Sequence, residues 1–123
     1  VDPKERAAFM PMTDTKTYPD AMKPAWNNDS LSQGLSSGVF LDGPQWKSWN
    51  GRMVVGLMGI GVHGTPVGNR LDVLDITSDG SSATRTMVNL PMPAGRFRSV
   101  VQGPDGNLYV ATDEGSIISL KPN

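Results

Sequence analysis

The chain has 123 residues, with 11 Lys and Arg against 12 Asp and Glu, so a net charge of -1 offers no chain-wide field for nucleic acid or an anionic membrane. The absence of cysteine excludes disulfides, thiolate metal sites and a cysteine nucleophile. Fourteen glycines and ten prolines lie between short apolar runs, a turn-rich β composition, and no run approaches the ~20 apolar residues of a membrane-spanning helix.

Residues 1–34 read as an irregular segment punctuated by Pro3, Pro11, Pro19 and Pro24. Within it, Asp2 to Phe9 predicts one short helix, with Asp2 as cap and Pro3 at the first helical position. The stretch from Tyr18 to Gly34 carries aromatics but no strand pattern and predicts a loop lying over other structure. The opening Val1 to Arg6 has no apolar run of the kind a secretory leader carries, as expected of a processed chain as much as of a cytosolic one.

From residue 35 to 123 the pattern becomes all-β. Strands are predicted at Ser37–Leu41, Met53–Met58, Arg70–Ile76, Thr84–Asn89, Phe97–Gln102, Leu108–Thr112 and Ser116–Leu120. Glycine-bearing and proline-bearing turns separate them. The strongest is Pro104-Asp105-Gly106-Asn107, where glycine supplies a positive φ. Trp46 and Trp49, beside a turn and a strand start, read as packing residues. Gly56 to Gly61 imitates a phosphate-binding loop only superficially, because the spacing is wrong and no helix follows.

The residues with most chemistry are Arg96 and Arg98. On an extended chain i and i+2 share a face, so the two guanidinium groups form a paired cationic clamp suited to an anion with several carboxylates or phosphates. The plainer reading is a solvated strand face, or a pair held by a neighbouring acid such as Asp113 or Glu114.

The words R-F-R-S-V, G-P-D-G-N-L-Y-V and T-D-E-G-S-I-I-S-L resemble the C-terminal end of the soluble glucose/sorbosone dehydrogenases, pyrroloquinoline quinone (PQQ) dependent enzymes built on a six-bladed β-propeller. Upstream, Pro24-Ala25-Trp26, Ser36 to Gly43 and Trp46 to Met58 follow the same family pattern, so the likeness spans about residues 24 to 122. The departures are Ser99, where an acid is usual, and Gly59, where a lysine is usual.

The resemblance implies the last two blades, approximately, of a propeller whose other blades lie on another chain or in further sequence. It also implies oxidation of a sugar hydroxyl in a periplasmic or secreted setting. Arg96 and Arg98 would contact PQQ carboxylates, Trp26 would stack on a sugar at the pocket mouth, and His63, the sole histidine, would be a cofactor-side contact. The general base and the calcium ligands of the family lie upstream of the matching region, so no catalytic residue and no metal ligand is expected here. Two other readings stand beside this one: a non-catalytic propeller module for binding or assembly, and a self-contained sandwich or barrel.

Overall fold

The computed structural model describes residues 14–27, 33–59, 68–88, 90 and 95–122. The predicted helix at Asp2 to Phe9 and the loop bearing His63 fall outside those residues. The described part of the N-terminal segment, 14–27, contains turns and bends but no strand or helix.

Among the described residues, seven strands form two antiparallel meanders. The first sheet has the order β1 (Leu35–Phe40), β2 (Met53–Leu57), β3 (Arg70–Ile76) and β4 (Ala83–Val88). The second has the order β5 (Phe97–Gln102), β6 (Leu108–Thr112) and β7 (Ile117–Leu120). Strand existence follows the sequence pattern closely, while boundaries move by one or two residues in β1, β2, β4 and β7, with β4 at Ala83–Val88 where the pattern predicts Thr84–Asn89. β1 begins at Leu35 instead of Ser37, β2 stops at Leu57, and β7 begins at Ile117.

A register shift between Leu35 and Gly38 explains the early start of β1. The irregularity frees two successive serines from strict alternation, and both reach the second sheet. Ser36 Oγ donates to the Phe97 carbonyl at 2.6 Å and lies 3.1 Å from the Gly56 carbonyl. Ser37 Oγ accepts the Val100 amide at 2.7 Å. Gly56 makes room for this seam, because a Cβ there would come within 3.0 Å of Ser36 Oγ and Val100 Cγ2.

Between the sheets Val54, Leu71 and Val73 meet Phe97, Val100, Leu108 and Val110, all nearly fully buried. Alternation produces this directly. In register, Val54 faces Val73 across the first sheet and Val100 faces Val110 across the second.

A 3-10 segment at Pro44–Trp49, not anticipated from sequence, caps one end of the core. Lys47 interrupts it at φ 52°, and both Trp46 and Trp49 pack against the core. Trp46 Nε1 donates to the Gly106 carbonyl at 3.1 Å, which docks this cap on the β5–β6 hairpin. Gly106 has φ 79°, the positive value its turn was expected to need.

The seam is testable. Ser36→Ala strips the Phe97 carbonyl of its hydroxyl donor and is expected to cost about 1–3 kcal/mol, read from urea unfolding. Gly56→Ala is expected to destabilise as well, because its methyl collides with the partner sheet; an unchanged unfolding midpoint in both variants would count against the seam.

Candidate functional site

β5 begins where the two predicted arginines sit. Phe97 turns inward, so Arg96 and Arg98 share the opposite side of the strand. The register shift between Phe97 and Ser99 then places Ser99 beside Ala111 and leaves it exposed.

Both guanidinium groups converge as expected, and they converge on Asp113 at the end of the β6 side of the hairpin. Arg96 Nε donates to Asp113 Oδ2 at 3.0 Å. Arg98 donates through Nε to Oδ1 at 2.6 Å and through Nη2 to Oδ2 at 2.9 Å, a bidentate grip. The Asp113 amide returns to the Arg96 carbonyl at 3.0 Å, so the carboxylate is fixed by backbone as well. Glu114 takes a different role and accepts the Arg96 backbone amide at 3.2 Å.

The two arginines are not equivalent. Arg96 is tucked against β2, its Nη1 donating to the Met58 carbonyl at 3.2 Å. Arg98 is 56% exposed, and its Nη1 has no protein partner among the described residues. The Arg98 hydrogen bonds, and after them those of Arg96, hold the Asp113 carboxyl below the usual carboxylate range, while Asp113 raises Arg98 in turn. The side chains of this cluster carry two positive charges, on Arg96 and Arg98, and two negative ones, on Asp113 and Glu114.

Trp26 lies elsewhere. Its ring carries the Arg85 guanidinium 5.7 Å from the centroid, a cation–π pair on β4 at the far edge of the first sheet. The Ala83 amide donates to the Ala25 carbonyl at 3.0 Å and ties the same segment to β4. Arg96 and Arg98 are therefore brought together, whereas Trp26 is anchored to a different edge. His63 lies outside the described residues.

A polar group not singled out in the sequence lies on β3 of the first sheet. Asp72, fully buried on β3, holds Arg70 through Nε at 2.7 Å and Nη2 at 3.1 Å. Arg70 Nη2 also reaches Gln33 Oε1 at 3.3 Å, and Asn69 Nδ2 donates to the Gly95 carbonyl at 3.0 Å. The signal was present in R-L-D, where a cation and an acid two residues apart interrupt an apolar strand on one face. Among the described residues, no three His, Cys, Asp or Glu side chains gather as a metal site.

The model of the Glucose / Sorbosone dehydrogenase family matches residues 5–119 of the chain. No curated protein and no solved structure matches it.

The Asp113 arrangement predicts an acid-sensitive contact. Its folded carboxyl titrates below the unfolded one, so its contribution to stability is complete above the ordinary carboxylate range and fades as pH falls through the lowered value. Urea midpoints of the native chain at pH 6 and pH 3 should differ more than those of Asp113→Asn. Equal pH sensitivity in the two proteins would mean that Asp113 is not the titrating contact.

Proposed function

The chain belongs to the glucose/sorbosone dehydrogenase family, and from that premise we propose that it forms roughly the last two blades of a six-bladed propeller that oxidises a sugar hydroxyl with PQQ. The observation carrying this reading is the convergence of Arg96 and Arg98 on one side of β5, inside the matched region. The quinone, held in part by Arg96 and Arg98, would supply the hydride acceptor for an aldose or sorbosone-type sugar. The residues of this chain orient and neutralise it.

The donor chemistry fits a carboxylate-bearing group. Arg98 faces outward with an uncommitted donor, and Arg96 stands behind it against the Met58 carbonyl. A carboxylate leaving water needs such cationic partners, since burial without them is prohibitive. The base and the calcium ligands belong to the remaining blades, as does the sugar pocket toward which Trp26 would be directed. His63 is kept as a weak contact to the cofactor. A periplasmic or secreted location belongs to the same proposal; no helix among the described residues is long and apolar enough to cross a membrane.

The second sheet supports the presence of further blades. Among the described residues its outward face exposes Val101 and Ile117, the latter 78% accessible. A cleft of about 550 Å³ opens between the sheets, lined by Trp46, Trp49, Val73, Val88, Leu108 and Leu120. Apolar strand faces of this kind are covered when another sheet packs on them.

A non-catalytic module is the second reading, favoured by one specific observation: Asp113 already occupies both guanidinium groups. The two readings separate in a titration of PQQ against the assembled protein. Arg98→Ala should weaken PQQ binding by about 1.5–3 kcal/mol, the range for one lost charged hydrogen-bonding contact, or roughly tenfold to over a hundredfold. A loss of stability with no change in PQQ affinity would favour the module. The 123-residue chain alone is expected to show no PQQ-dependent turnover.

A further inference from the structure

We infer that Asn69 and Arg70, consecutive at the head of β3, are positioning residues that set where the Arg96 guanidinium stands. The inference rests on the reading of Arg96 as an anion contact and extends it to residues that touch no ligand. Two independent routes lead from them to Arg96.

The first route is direct. Asn69 Nδ2 donates to the carbonyl of Gly95, the buried residue immediately before Arg96, at 3.0 Å. That bond fixes the peptide from which the Arg96 side chain departs. Gly95 is also confined on its other side, since a Cβ there would lie 3.2 Å from Glu114 Oε2 and Thr112 Cγ2.

The second route runs through the charge pair. Asp72 is inaccessible to solvent and grips Arg70 by two hydrogen bonds, leaving Arg70 little freedom. Arg70 in turn donates to Gln33 Oε1 at 3.3 Å and to the Gly68 carbonyl at 3.4 Å. The Gln33 carbonyl accepts the Gly59 amide at 2.9 Å, and the Gly34 carbonyl accepts the Met58 amide at 3.0 Å. The Met58 carbonyl, held between those two bonds, accepts Arg96 Nη1 at 3.2 Å. The buried carboxylate of Asp72 is thus connected by hydrogen bonds and a short stretch of backbone to the acceptor that aims Arg96.

Core packing alone does not require this arrangement. An Arg–Asp pair in a strand is seldom better for stability than apolar residues of similar volume, and its best-attested use is to specify one arrangement. Here the arrangement specified is the position of residues 58 and 59 beneath Arg96.

The test reads Arg96 itself, without ligand. In the full chain, hydrogen exchange of the Arg96 Nε–H, followed by nitrogen-15 NMR, should accelerate about tenfold in Asn69→Ala and in Gln33→Met as local opening becomes easier. Gln33→Met keeps side-chain length and leaves the Asp72–Arg70 pair intact, so it remains informative if Asn69→Ala folds poorly. Thr77→Ala serves as a control. It removes the 2.6 Å bond to Asp79 in a distant turn and should leave Arg96 exchange unchanged.

Unchanged Arg96 exchange in both Asn69→Ala and Gln33→Met overturns the inference, and so does equal acceleration in Thr77→Ala, which would report general loosening. In the assembled protein, PQQ affinity should fall in Asn69→Ala while Lys at position 98, in Arg98→Lys, retains part of it. Failure of the native assembly to take up PQQ would overturn the cofactor reading alone, because the exchange measurement decides the positioning with no cofactor present.

Discussion

The contact on which the rest of the structure depends is the seam between β1 and β5. Two successive serines, one donating and one accepting, are joined to the backbone of a strand that lies about 60 positions later, with separations of 61 and 63 residues. Hydrophobic burial alone would hold the sheets together without fixing how far one slides along the other, because it is non-directional. Hydrogen bonds from Ser36 and Ser37 supply the direction, and Gly56 supplies the clearance. With β5 placed in this way, the Arg96 guanidinium reaches the Met58 carbonyl just past the end of β2. The position of the cationic pair is therefore a consequence of how the two sheets join.

The polar interior of the first sheet follows a complementary logic. On one face of β3, Leu71 and Val73 enter the core between the sheets; on the other, Asp72 and Leu74 are buried as well. A strand buried on both faces is expected to be apolar throughout. The carboxylate of Asp72 breaks that rule, and it is tolerated because Arg70 on the same face satisfies both oxygens. The exception lies three residues beyond Asn69, whose amide is bonded to the Gly95 carbonyl just before Arg96.

Much of this was legible in the sequence for identifiable reasons. Alternation in Leu108 to Thr112 and the glycine at 106 give the β5–β6 hairpin directly, because register and turn are local properties. The spacing of Arg96 and Arg98 gives their common face for the same reason. What was not legible depends on contacts between segments distant in the chain. The bulge near Leu35, the 3-10 cap of Trp46 and the link from Asn69 to Gly95 each exist because a partner far along the sequence receives a hydrogen bond. Trp26 illustrates the same limit: its order in the chain suggests a pocket, while its ring is taken by Arg85.

The sharing of Asp113 by two arginines decides what kind of anion site this can be. Two guanidinium groups converging without a carboxylate would repel one another and lose their common orientation. With Asp113 between them they are held in place beforehand, so an incoming carboxylate need not freeze long side chains that each carry about 2 kcal/mol of rotamer entropy. The same carboxylate cancels one of the two positive charges that the ligand would otherwise meet. With Glu114 on the Arg96 amide the four side chains sum to no net charge, so the cluster is preorganised but offers an incoming anion the donors of Arg98 and no surplus positive charge. The electrostatics of this pair therefore leave any larger anion dependent on donors beyond Arg96 and Arg98, since a carboxylate taken from water without a partner is costly.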